Sequence, residues 1–178
     1  MNARRALHCR EIEAADDLAA LTALLHAAYA PHAAKGLRYW ATHQSVEDTA
    51  ARLALGHGLV GTVDGQIIAT LTLRRPNPNA QVELFRDPDT WSFSQFAVHP
   101  DHKGQGYGRH LHDFAVAFAA ARGCRRMALD TAQPAQELID MYHAWGYTEL
   151  GTCDWRPRTN YLSVLMQKPV SEARSHAG

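Results

Sequence analysis

Residues 91–115, WSFSQFAVHPDHKGQGYGRHLHDFA, read as a strand, a glycine-rich turn and the opening of a helix. The strand carries a fault in its pattern. Trp91 and Phe93 set the bulky residues at odd positions, whereas Phe96 and Val98 set them at even ones. Side chains alternate with a period of two along a strand, so this change of phase calls for one inserted residue, a β-bulge near Ser94–Phe96. A plainer reading also stands: a strand buried on both faces, in which phase carries no meaning.

Gly104, Gly106 and Gly108 then alternate with other residues. Glycine admits positive φ and lets a ligand approach the main chain closely. The helix that follows, from about Arg109 to Arg122, offers unpaired N–H groups and the positive end of its dipole. Together these features suit an anion, phosphate above all, with Lys103 and Arg109 adding charge. The spacing matches neither a Walker A loop, which needs a Lys-Ser/Thr pair, nor the G-x-G-x-x-G dinucleotide fingerprint. On spacing alone, a turn that merely joins strand to helix remains open.

The flanking chain supplies the other elements. LHCREIE (7–13) reads as a short first strand, and Leu18, Leu21, Leu25 and Ala28 recur at helical spacing between Asp16 and Tyr29. Ser45 and Asp48 form a capping-box start for a helix with Val46, Ala50 and Leu53 as its buried stripe, ended by Gly56. Residues 58–75 read as a hairpin turning at Asp64-Gly65. A long Pro/Asn/Asp-rich connection follows, with a short strand expected at VELF (82–85). RRMALDTA (125–132) is a strand. Leu138, Met141, Tyr142 and Trp145 mark a last helix stopped by Gly146, and two closing strands pair antiparallel. A strand–helix–strand run in the middle implies one parallel pair within an otherwise antiparallel sheet.

The totals fit one soluble domain over 1–168, with 169–178 a disordered tail. In 178 residues, Lys plus Arg equals Asp plus Glu at 18 each, so no nucleic-acid-binding surface is indicated. Three scattered cysteines do not make a disulfide framework or a zinc site. No apolar run is long enough for a membrane span or a signal peptide, so a cytoplasmic location is the default. His99/His102 and His110/His112 lack the partners and geometry of a metal site, and no metal is expected.

Val98-His99-Pro100 followed by Lys103-Gly104-Gln105-Gly106-Tyr107-Gly108 resembles the coenzyme A-binding motif of the GNAT superfamily of N-acetyltransferases. Lys103 stands where that motif usually has Gln or Arg. Tyr142-His143-Ala144-Trp145-Gly146-Tyr147 is similar to the family's second signature, and the element order also matches. The resemblance spans roughly 5–168 and is strongest over 91–147. It implies an α/β (α+β) fold with a mostly antiparallel central sheet, a splayed parallel pair and about four flanking helices. A bulge in the strand before the loop is a family feature too.

What the resemblance implies for function is acetyl transfer from acetyl-coenzyme A to a primary amine of a small molecule, peptide or protein. Amides of Gln105, Gly106, Tyr107, Gly108 and Arg109, with Lys103 and Gly104 alongside, would hold the cofactor pyrophosphate. Phe96, Ala97 and Val98 would pair with its pantetheine arm, and Thr131 would edge the cleft. The N–H of Val98 would stabilise the oxyanion and Tyr142 would protonate the leaving thiolate. No carboxylate lies in WSFSQF to act as base; Ser92 or Ser94 through a water, or Glu83, are the candidates. Tyr29, Trp40 and Glu83, with His32, Tyr39 and His43 nearby, would form the acceptor pocket, the aromatics boxing a cationic amine. A homodimer is compatible with the family. An idle acyl-coenzyme A sensor, transfer of another acyl group, and a nucleotide-phosphate binder are the alternatives.

Overall fold

The computed structural model describes residues 5–171, so the first four residues and 172–178 of the expected tail lie outside the described residues. The strands are β1 (His8–Glu11), β2 (Gly56–Val63), β3 (Gln66–Arg74), β4 (Thr90–Val98), β5 (Arg126–Ala132), β6 (Thr148–Asp154) and β7 (Leu162–Pro169). The helices are α1 (Leu18–Ala34), α2 (Val46–Leu53), α3 (Tyr107–Ala120) and α4 (Gln136–Ala144). One seven-stranded sheet runs β1-β2-β3-β4-β5-β7-β6, antiparallel except for the β4–β5 pair. This is the mixed sheet with four helices that the sequence implies. The last strand reaches Pro169 and Val170 donates to Arg125 O at 2.9 Å. Among the described residues no helix is long and apolar enough to cross a membrane, and the three cysteines are free.

The sheet separates two cores. Leu59, Leu71, Leu73, Trp91, Phe93 and Met127 bury one face against α3 and α4, through Leu111, Ala115 and Ile139. Fully burying an aliphatic side chain of this kind contributes about 1.5–3 kcal/mol, which makes this the principal core. The opposite face carries α1, with Leu21, Leu24 and Leu25 packed on Val60 and Ala97. α1 starts on Asp17, whose carboxylate accepts from the N–H groups of Ala19 and Ala20, and it continues through Pro31. The capping box at Ser45 and Asp48 is present. The stripe expected on α2 is different: Val46 and Ala50 are exposed, and Thr49 is the buried residue. Thr49 turns inward because its hydroxyl meets Thr22 Oγ1 and Gln44 Nε2, each at 2.7 Å.

The phase fault in β4 is a bulge. Thr70 pairs with Ala97 and Thr72 with Ser94, so β4 spends one residue more than β3 between them. Gln95 takes up the surplus with a left-handed φ of 51°. Trp91 and Phe93 before it, and Phe96 and Val98 after it, therefore all pack toward the α3–α4 core. The expected strand at 82–85 is instead a 3-10 turn over Glu83–Phe85, in a connection where no neighbouring edge is paired with it.

Candidate active site

The parallel pair between β4 and β5 runs only from Thr90↔Arg126 to Ser92↔Ala128, and then the strands part. The gap opens into a cleft of about 1160 Å³. Its β4 wall carries Phe96, Ala97 and Val98. His99 N–H donates to Ile68 O at 2.8 Å, so by antiparallel alternation the neighbouring N–H of Val98 points away from β3. Tyr29 Oη donates to Phe96 O at 3.0 Å. On the β5 wall, Ala132 N–H donates to Tyr39 Oη at 3.3 Å, and that hydroxyl meets Thr131 Oγ1 at 3.1 Å. Two tyrosines thus hold the parted strands in place of the missing ladder bonds.

The glycine loop closes one end. Gly104 and Gly106 both have φ of 75°, in the left-handed region that glycine enters without penalty. Gly106 caps α3 without a side-chain bond, leaving the first N–H groups of the helix free of intrahelical partners. Lys103, Gly104, Gly106, Tyr107, Gly108 and Arg109 line the cleft, whereas Gln105 is exposed and outside it. The ring of Tyr107 is buried and its hydroxyl donates to Arg5 O at 2.8 Å. Arg109 is tied to Asp113 at 3.0 Å.

Tyr142 on α4 lies at the junction. Its ring packs against Phe93, Trp145 and Tyr147, with centroids 6.0, 5.6 and 5.7 Å away. No hydrogen bond among the described residues ties down its hydroxyl, and the residue lines the cleft. Burial raises its phenol well above the usual value, so it stays protonated and available as a donor through neutral pH.

The far side of the cleft departs from expectation. Glu83 is exposed and does not line it, because the 3-10 turn sends Phe85 inward and Glu83 toward solvent. His43 is also exposed and borders a separate shallow depression. Tyr29 lines the cleft with its hydroxyl already committed to Phe96. Trp40 lines it as well, but the protein's own cations occupy its ring: the guanidinium carbons of Arg52 and Arg158 lie 4.4 and 4.6 Å from its centroid. The Trp40 ring is therefore already engaged by the protein's own guanidinium groups. Ser92 and Ser94 line the wall, and Ser94 Oγ is buried without a hydrogen-bond partner among the described residues.

Sequence reasoning gave no catalytic role to Asp130, the only acidic residue among those lining the cleft. It sits two residues beyond Ala128, as Ser94 sits two beyond Ser92, so both flank the point where the strands part. Trp155 Nε1 donates to Asp130 Oδ2 at 3.0 Å. Burial, the largest influence, raises the carboxyl above its ordinary range despite that bond and the nearby Arg52 and Arg74. An acid at the carboxyl end of a parallel strand was the available signal, because ligands gather outside such strand ends. Arg52, Arg74 and Arg158 gave no signal, since they come from three separate segments.

Comparison with known proteins places this geometry. The acetyltransferase (GNAT) family matches residues 18–147. The chain is 30% identical over 146 residues to S-(2-succino)cysteine N-acetyltransferase of Bacillus subtilis (strain 168), covering 80% of this chain and 84% of that one. Its fold is similar to the ribosomal-protein-S18-alanine N-acetyltransferase of Escherichia coli, with a TM-score of 0.71 at 19% identity over 97% of this chain and 99% of that one. It is also similar to yncA of Salmonella typhimurium, solved with its cofactor acetyl-CoA, with a TM-score of 0.66 at 23% identity over 94% and 96%. The exposed loop fits such a cofactor: a Cβ at Gly104 would meet nothing within 4 Å, leaving the main chain open to a phosphate. By its sequence match and its cleft alike, the chain belongs to the GNAT acetyltransferase family, a transferase that uses acetyl-coenzyme A.

Proposed function

We propose that the chain is an N-acetyltransferase acting on the primary amine of a small molecule by direct attack within a ternary complex. Acetyl-coenzyme A supplies the acetyl thioester. The carrying observation is that the parting of β4 and β5 brings Val98 N–H, Tyr142 and Asp130 to one cleft. Main-chain amides of Gly106, Tyr107, Gly108 and Arg109, with Lys103 beside them, hold the pyrophosphate, and Phe96 to Val98 align the pantetheine arm. Gln105 adds only its amide, and Thr131 edges the β5 side. The small-molecule acceptor is favoured by the Bacillus subtilis relative, whose name gives S-(2-succino)cysteine.

Asp130 takes the proton that keeps the amine nucleophilic, directly or through a water held by Ser94 or Ser92. Its raised pKa makes it a stronger base than an ordinary carboxylate. As the C–N bond forms and the C–S bond breaks, Val98 N–H steadies the oxyanion and the Tyr142 hydroxyl gives its proton to the thiolate. Glu83, being outside the cleft, has no part. The presence of a carboxylate in the cleft favours turnover over an idle sensor.

Thiol release from acetyl-coenzyme A with a panel of primary amines tests the proposal. Tyr142→Phe should lower kcat by about 10²- to 10⁴-fold with acetyl-coenzyme A affinity retained. Asp130→Asn should lower kcat/KM and abolish the rise of activity with pH that accompanies deprotonation of the base. Tight acetyl-coenzyme A binding without turnover of any amine would identify a sensor module instead.

A further inference from the structure

The acceptor side of the cleft holds more positive charge than the protein itself balances. Arg52 from α2, Arg74 from the end of β3 and Arg158 from the β6–β7 connection all line it. Among the described residues none of the three makes an ion pair with a carboxylate, and Asp130 is the single acid in the lining. Arg75, which also borders the cleft, is engaged elsewhere, over Trp91 and on His57 Nε2.

These arginines are not the charge of the pyrophosphate loop. Arg74 pairs with Ser92, whereas Ala69 pairs with Val98, the last residue before the loop segment. Those five residues of strand correspond to about 17 Å. Two of the three guanidinium groups are also held in place. Arg52 and Arg158 pack over the Trp40 ring, and Arg52 Nη1 donates to the buried Gln44 Oε1 at 2.7 Å. A guanidinium fixed this way keeps further N–H groups in its plane, a fork matched to a carboxylate. Burial already pushes Arg52 down to about 10, the mark of a cation short of a partner.

We propose that the amine acceptor carries carboxylate groups, at least two of them, and that Arg52, Arg74 and Arg158 bind these while Asp130 receives the amine. The proposal rests on the acetyltransferase reading above and narrows it to acidic, amino-acid-like amines. Polyamines and lysine side chains meet three guanidinium groups and are rejected by like charge.

Two measurements test it. In the thiol-release assay, aspartate, glutamate and their diamides, which keep the amine but lack the carboxylates, are compared with putrescine. The carboxylated amines should be preferred, and Arg158→Gln and Arg74→Gln should each cut that preference about 10- to 100-fold. Arg158 is exposed, so that variant should keep the wild-type melting temperature even if substitution at half-buried Arg74 costs stability. In parallel, calorimetry with coenzyme A present should detect tricarballylate binding to the wild type, weakened at least tenfold in either variant. Equal or better use of putrescine or the diamides would overturn the proposal. So would tricarballylate binding that is absent or indifferent to both substitutions. If no amine turns over while tricarballylate binding still depends on the arginines, the acetyltransferase mechanism fails and the anion site stands.

Discussion

On the side of the cleft proposed for the cofactor, residues 96–109 come from one unbroken run of chain and offer mostly main chain. On the side proposed for the acceptor, Trp40, Arg52, Arg74, Asp130 and Arg158 come from five separate segments and offer side chains. Each side rests on its own buried polar joint. Behind the glycine loop, His112 of α3 joins α3 to the segment after α4, with Nε2 to Tyr147 Oη at 2.7 Å and Nδ1 to Asp113 Oδ1 at 2.9 Å. The carboxylate can only accept, so Nδ1 carries the proton and Tyr147 donates to Nε2. Behind the arginines, Gln44 donates to Gln95 Oε1 at 2.6 Å and to Thr49, and accepts from Arg52. Gln95 in turn donates to Thr72 at 3.0 Å. One joint contains a titratable ring; the other is built from amides, hydroxyls and an arginine. Acid should therefore loosen the cofactor side while sparing the acceptor side.

That contrast can be broken most forcefully through His112. Burial pushes its pKa from 6.5 down to about 4. Above pH 6.5 both folded and unfolded chains leave this ring neutral, and no stability is lost. Between about 6.5 and 4 the unfolded chain binds a proton that the folded one refuses, so stability falls as pH drops. The loss approaches about 3 kcal/mol near pH 4 and then levels off. Urea unfolding at several pH values should show this fall, and His112→Phe should flatten it. If the slope persists in that variant, the cofactor-side joint is not the acid-sensitive element.

A smaller effect is expected from the other joint. Gln44→Ala strips partners from Gln95, Thr49 and Arg52 at once, leaving buried polar groups unsatisfied at a cost of about 1–3 kcal/mol. The loss should be independent of pH between 4 and 7 beyond what the wild type shows. KM for the acceptor should rise more than KM for acetyl-coenzyme A, since Arg52 loses its anchor.

The mildest change sharpens the cofactor side. Gly106→Ala must hold a left-handed φ of 75°, at a cost of about 1–2 kcal/mol. The strain falls at the N-cap of α3, beside the amides proposed to hold the pyrophosphate. Coenzyme A affinity measured by calorimetry should drop, with acceptor preference unaltered. An unchanged affinity would place the phosphates elsewhere.

The same contrast explains what was legible in advance. The bulge could be read from Trp91, Phe93, Phe96 and Val98 because side-chain phase is a local property of a strand. The capping box at Ser45 and the turn at Asp64-Gly65 are local as well, and both are present. The buried side of α2 was misread because it is decided by Thr22 and Gln44, residues remote from any pattern inside the helix. VELF looked like a strand by composition, but a strand needs an edge to pair with, and none is offered there. Trp40 lines the cleft, but no sequence rule foretells that Arg52 and Arg158 converge on its ring.

By itself, then, the order of residues determined the main strands and helices, the bulge, the glycines that take left-handed backbone at 104 and 106, and the tyrosine four positions before Gly146. All of these are written in short-range periodicity and backbone preference. Tertiary structure alone decided which charges share the cleft. Arg52, Arg74, Asp130 and Arg158 lie in separate segments and meet only where β4 and β5 part. Electrostatic character of this kind depends on distances through space, and spacing along the chain carries no record of them.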